Sequence, residues 1–249
     1  MTAAGAAVRL EHVTKAFDGF VVLDDLTLEV ASGSACCILG RSGTGKSVAL
    51  KHIVGLLRPD RGRVFVGGVD VTSLSSREMT GVRRGIGFVF QNAALFDSIS
   101  VGENVAFPLR RHTRLPEAEI RARAGERLRQ VGLEEAFDKL PATLSGGMRK
   151  RAGLARAMAL DPPLLLVDEP SAGLDPITSA EIDALLLRVK REQGATLVVV
   201  THNVPSARAI GDDLVFLHEG RVLARGPAAE LDHSADPLVR AFMRSEGSG

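Results

Sequence analysis

The sequence predicts an α/β fold: a doubly wound parallel core with an N-terminal antiparallel β subdomain and an inserted α-helical subdomain. The core rests on three unbroken apolar runs, Ala35-Cys-Cys-Ile-Leu39, Leu164-Leu-Leu-Val167 and Leu197-Val-Val-Val200. Strands covered by helices on both faces read as continuous apolar stretches rather than as alternation. Each run is followed by polar residues and then helix-compatible sequence, as a parallel sheet requires. The flanking subdomains follow from a contrast in pattern, with period-two alternation before the first run and loss of strand signals over 92–151.

In chain order, Val8 and Leu10, then Leu26, Leu28 and Val30, alternate about an Asp18-Gly19 turn, which predicts short antiparallel strands. A helix is expected over 48–57. In the insertion, Pro116 with Glu117 and Glu119 starts a helix, because proline suits the first turn and acids suit the dipole there. Ile120, Ala124, Leu128 and Val131 then share one face, and Gly132 is placed to cap it. A further long helix is expected over 149–160. Near the end, Leu214-Val-Phe-Leu217 and Val222-Leu223 flank Glu219-Gly220 as a hairpin closing the sheet. The chain therefore reads as one domain, with core segments 1–91 and 152–243, a helical subdomain at 92–151 and a disordered tail at 244–249.

Composition narrows the function. The formal net charge of +1 leaves no polybasic nucleic-acid arm and no acidic tail. No apolar run approaches the roughly 20 residues of a membrane-spanning helix. The first residues lack a basic segment followed by an apolar stretch, so no secretory signal is expected. Cys36 and Cys37 are neighbours on a strand and point to opposite faces, which argues against a disulfide and suits a reduced, cytosolic setting.

Directly after the first buried strand comes Gly40-Arg41-Ser42-Gly43-Thr44-Gly45-Lys46-Ser47, the G-x-x-x-x-G-K-[ST] pattern. Its glycines let successive N–H groups converge on phosphate oxygens, with no Cβ in the way. Lys46 is placed to reach the β- and γ-phosphates of a bound nucleotide, and Ser47 to ligate Mg²⁺. The following helix adds its N-terminal dipole to the anion site. The second buried run ends in Asp168-Glu169-Pro170. A carboxylate there sits at the sheet's C-terminal edge, where α/β folds bind ligands. Asp168 is a candidate to hold Mg²⁺ through water. Glu169 is a candidate to polarise the water that attacks the γ-phosphate.

Leu144-Ser145-Gly146-Gly147-Met148 precedes a helix whose N-terminus is a second anion-binding end, with Ser145 as its cap. Taken with the phosphate loop and the acidic pair, this order resembles the nucleotide-binding subunits of ABC transporters. Gln91, Ser171-Ala-Gly-Leu-Asp175 and His202 extend the resemblance over nearly the whole chain. It implies a P-loop NTPase (RecA-like) core and ATP hydrolysis coupled to transport. It also implies a head-to-tail dimer in which Ser145, Gly146 and Gly147 bind the γ-phosphate held by the other copy. Gln91 would touch Mg²⁺ and the attacking water, Asp175 would link the two sites, and His202 would contact the γ-phosphate. Phe17, or else Phe20, would stack on adenine in place of the family's usual tyrosine.

Met148 stands where the commonest signature has Gln, and Arg149-Lys150-Arg151 follows it, either as a solvated helix face or as a lipid-headgroup contact. This form, with 90–96, 101–109 and 175–178, is similar to the ATPases of Mla and Mce-type phospholipid transporters. The implied partners are a second copy, an integral membrane permease and an Mce-domain lipid-binding protein, with no nucleic acid. The implied location is the cytoplasmic face of the inner membrane, reached through the permease. Ala93, Ala94, Leu95, Phe96, Val105 and Phe107 either line the docking groove or simply pack the insertion. An importer of a small polar solute would share every catalytic motif. A DNA- or ribosome-acting ATPase fits less well, because no heptads separate Lys46 from Ser145 and the chain has one phosphate loop.

Overall fold

The computed structural model describes residues 6–245. β1 (Ala6–Phe17) and β2 (Phe20–Ala31) form an antiparallel hairpin. Its turn residues, Asp18 and Gly19, both have positive φ, the type I′ geometry that matches strand twist. The strands are long rather than short. His12 and Asp25, each at positive φ, pair across the hairpin at 2.9 Å and carry it through a register shift. β3 (Ala35–Leu39) is buried along its length. α1 (Lys46–Ile53) follows, ending before the expected 57 because the chain turns at Gly55, φ 67.

Next come β4 (Arg61–Val66), β5 (Val69–Asp70), α2 (Ser76–Arg83) and β6 (Ile86–Val89), all in a stretch to which the sequence reading assigned no elements. α2 begins with a reciprocal Ser75–Glu78 capping box. The insertion contributes α3 (Val101–His112), α4 (Glu117–Gln130) and α5 (Gly146–Ala157), the last continuing past 151 and ending short of the expected 160. Ile120, Ala124, Leu128 and Val131 are all buried in the main core. The chain continues through β7 (Leu164–Asp168), α6 (Pro176–Gln193), β8 (Thr196–Thr201) and α7 (Val204–Ile210). It closes with β9 (Asp213–His218), β10 (Arg221–Gly226), α8 (Ala228–Asp232) and α9 (Pro237–Arg244). Arg244 completes α9 and Ser245 caps it, so the expected tail does not begin at 244. Its last four residues lie outside the described residues.

Two sheets result. One is antiparallel, in the order β2-β1-β4-β5. The other runs β10-β9-β3-β8-β7-β6, parallel except for β10, which pairs antiparallel with β9 in the expected hairpin. β3 lies inside the larger sheet, and its alternate residues serve separate cores. Ala35, Cys37 and Leu39 face the side carrying the helical insertion, while Cys36 and Ile38 face the N-terminal hairpin. Both thiols are free and buried, and burial pushes Cys36 up to about 12. The sheet's C-terminal edge, with β3 and β7 separated by β8, is where the chemistry-bearing residues collect.

Candidate nucleotide site

The loop after β3 wraps closely on its neighbours, and its geometry requires glycine. A Cβ on Gly40 would lie 2.4 Å from the Leu217 carbonyl oxygen. Gly45, the N-cap of α1, has φ 97, and a Cβ there would meet Leu23 Cδ2 at 2.7 Å. Thr44 braces the turn by donating its hydroxyl to the Arg41 carbonyl. Lys46 is buried, and its Nζ donates to the carbonyls of Gly40 and Arg41 at 2.8 and 2.9 Å. Burial lowers its pKa, opposed by the charges of Glu169 and Asp168. The ammonium thus sits at the mouth of the loop with two carboxylates nearby.

The Ser47 hydroxyl donates to Asp168 Oδ1 at 2.9 Å, joining α1 to the end of β7. Burial raises the Asp168 pKa, and the Ser47 hydrogen bond opposes this. Glu169 follows at φ 47, in the left-handed region that is costly for a residue with a side chain. Its N–H donates to the Val200 carbonyl at 2.9 Å, tying it to the adjacent β8. Its Oε2 lies 2.9 Å from His202 Nδ1 and accepts from the His202 N–H at 3.3 Å; Oε1 lies 3.8 Å from Lys46 Nζ. A carboxylate held between a histidine and a lysine beside a phosphate loop is placed to accept a proton.

Ser42, Gly43, Gly45, Lys46, Ser47, Gln91, Glu169 and His202 line one cleft of about 400 Å³. Val22 of β2 also lines it, a contact that no motif signalled because Val22 lies in an ordinary apolar stretch of a strand. Phe17 and Phe20 face each other across the hairpin, 39% and 71% exposed, and neither lines the cleft. The signature lies elsewhere. Ser145 caps α5 by accepting from the Met148 N–H, and Gly147 packs so tightly that a Cβ would lie 2.5 Å from Thr178 Cγ2. Asp175 caps α6 by accepting from the N–H groups of Ile177 and Thr178. The Thr178 hydroxyl also donates to it, holding its carboxyl below the usual range. Ser145 and Asp175 are exposed and Gly147 is buried, and none of Ser145, Gly146, Gly147 and Asp175 is brought into the cleft of its own chain.

A family model described as "ABC transporter" matches residues 23–172, more than half of the chain. The chain belongs to the ABC transporter ATPase family. As an ABC ATPase it binds ATP, and the matched segment contains the phosphate loop, the signature and the acidic pair. The chain is 42% identical to the probable ribonucleotide transport ATP-binding protein mkl of Mycobacterium leprae, over 98% of this chain and 71% of that one. It is also 42% identical to the intermembrane phospholipid transport system ATP-binding protein MlaF of Haemophilus influenzae, over 92% and 87%. The dimeric ATP-binding cassette MJ0796 bound to ADP and Pi superposes with a TM-score of 0.83 at 36% identity, over 88% and 98%.

Two features of this ABC ATPase refine the sequence reading. The basic run keeps Arg149 exposed and Lys150 and Arg151 half-buried, and each side chain also donates to a backbone carbonyl. Arg149 donates to Leu144, Lys150 to Glu169 and Arg151 to Val131. The apolar cluster of the insertion divides. Ala93 and Val105 are core residues and Leu95 packs against the core, whereas Ala94, Phe96 and Phe107 line a second groove of about 350 Å³. Phe96 and Phe107 are half-exposed, their rings 5.0 Å apart. Helical periodicity places residues on faces, but it does not show which face a neighbouring element covers.

Proposed function

We propose that this ABC ATPase works as a head-to-tail dimer that energises phospholipid transport between membranes of the cell envelope. The observation that carries the dimer is the separation, within one chain, of the signature's anion-binding helix end from the phosphate loop. A second copy supplies the missing end to each site. In this reading Gly40 to Gly45 cradle the phosphates, Lys46 reaches the β- and γ-phosphates, and Glu169 is the general base. His202 orients Glu169 and contacts the γ-phosphate. Gln91 meets the attacking water, and Phe17 or Phe20 stacks on adenine.

The donor set suits Mg²⁺. A serine hydroxyl and a carboxylate, 2.9 Å apart beside the phosphate loop, are the hard oxygen ligands this ion prefers. No group of three or more His, Cys, Asp or Glu residues among the described residues is arranged to hold a metal ion by itself, so nucleotide and water would complete the shell. Ser47 and Gln91 would hold the ion directly and Asp168 through water, and it would neutralise charge developing on the phosphates.

Phospholipid as cargo is supported by the MlaF relative and by the signature form with Met148. The ribonucleotide in the name of mkl, at equal identity, supports the second reading, an importer of a polar solute. An ATPase subunit touches nucleotide and permease rather than cargo, so shared catalytic motifs do not discriminate between them. No helix of the described residues is long and apolar enough to cross a membrane. We assign membrane attachment to a permease docked in the Phe96–Phe107 groove, with an Mce-domain protein as a further partner on the lipid route.

Phe96→Asp places a charge where docking would desolvate it. It is expected to abolish membrane association while leaving ATP binding intact, and to reproduce the phenotype of a gene deletion. On the lipid reading, that phenotype is sensitivity to detergent. An intact barrier combined with lost uptake of one polar nutrient rejects the lipid reading in favour of the importer. The shared site has its own test. Ser42→Cys paired with Ser145→Cys is expected to form an ATP-dependent disulfide between chains under oxidation. A link confined to a single chain would contradict the dimer.

A further inference from the structure

Lys150 is the one member of the basic run that reaches the catalytic edge. It is in the second turn of α5, the helix that begins with the signature glycines, and its Nζ donates to the Glu169 carbonyl oxygen at 3.0 Å. Burial lowers the Lys150 pKa, opposed by the charges of Glu169 and Asp168. The Glu169 carbonyl also accepts from the Ala172 N–H at 3.2 Å, a bond within its own turn, so Lys150 is the donor that reaches it from another part of the fold. Glu169 has φ 47, a conformation costly for any residue with a Cβ and restricted further by the proline that follows. Pro170 has no N–H, so the peptide linking the two residues presents only its carbonyl oxygen for hydrogen bonding. The N–H of Glu169 is fixed to Val200 in the sheet. On the other side Lys150 shares the carbonyl with the Ala172 N–H, and it alone of these two donors comes from a helix that begins in the inserted subdomain.

We infer that Lys150 is a positioning residue for hydrolysis, holding the Glu169 backbone and passing movement of the signature helix to the Glu169 carboxylate. This rests on Glu169 being the general base. On the dimer reading it has a consequence for timing. The end of α5 that meets the partner's nucleotide is the same rigid helix that grips the base of its own chain's site. Occupancy of one site then bears on the geometry of the other.

The test measures steady-state ATPase of the full chain assembled with its permease. Lys150→Met keeps the aliphatic stem and removes the donor. It is expected to lower kcat about tenfold with the KM for ATP within twofold, because a small displacement of a catalytic group costs turnover more than binding. Lys150→Arg, which can donate to the same carbonyl, is expected to restore most of kcat. A merely structural lysine would lower Tm without moving kcat at saturating ATP. Should the Met variant fail to fold, Lys150→Gln, with a polar tip too short to reach, reads the same split. Wild-type kcat in either variant overturns the inference. Glu169→Gln run in parallel separates the two claims. If it blocks hydrolysis while Lys150→Met does not, only the positioning role fails. If it hydrolyses normally, the general-base reading fails first.

Discussion

Glu169→Gln is expected to keep ATP binding and to lower kcat by about 10²–10⁴-fold, the usual contribution of a positioned general base. The amide is nearly isosteric, so the contacts that hold the side chain beside His202 Nδ1 and the His202 N–H persist in shape. What is lost is the ability to take a proton from the attacking water. Phosphate binding depends on the loop and Lys46, so affinity survives, and the variant should accumulate as an ATP-bound dimer visible by size-exclusion chromatography. Normal turnover would transfer the role to another group. His202 is the next candidate, since it lies on the same cleft.

Lys46→Ala is expected to reduce kcat/KM for ATP by at least about 10²–10³-fold, the range for losing one preorganised electrostatic contact to developing charge. The ammonium is buried beside Glu169 and Asp168 and bonded to two loop carbonyls. Alanine removes the charge that balances these carboxylates, so the site becomes more repulsive to a triphosphate as well as less catalytic. Binding of a fluorescent ATP analogue together with single-turnover hydrolysis separates the two losses. Near-wild-type ATPase in the assembled complex would remove the phosphate-loop reading.

The site residues legible from the residues themselves were those whose chemistry is written in contiguous stretches, whereas Gln91 and His202, single residues that also line the cleft, came from the family resemblance. A phosphate loop is a local backbone structure, so Gly40 to Ser47 carry their geometry with them. Asp168 and Glu169 were legible because a buried strand has to end at a sheet edge. Val22 and Lys150 were not legible, because each acts by being brought near residues distant in the chain. The antiparallel strands β4 and β5 and the edge strand β6 were missed for a related reason. Arg61-Gly-Arg63 masks alternation in β4. Gly87 interrupts β6, and a Cβ there would lie 2.5 Å from the Ala157 carbonyl of α5.

What the sequence determined by itself was the parallel core and the presence of a nucleotide site. Strands such as Leu164–Asp168 and Thr196–Thr201, buried on both faces, carry polar residues only at their ends, so their apolar runs stand out. The tertiary structure alone decided the order β9-β3-β8-β7, which brings Ser47 to Asp168 and Glu169 to His202. It also decided that Val105 is core while Phe107 faces a groove, and that Lys150 bonds to Glu169 rather than to solvent. The physical reason is range. Hydrophobic periodicity and turn chemistry act over a few residues and are encoded where they act. Which face is covered, and which cation meets which carbonyl, depends on packing between segments far apart in the chain.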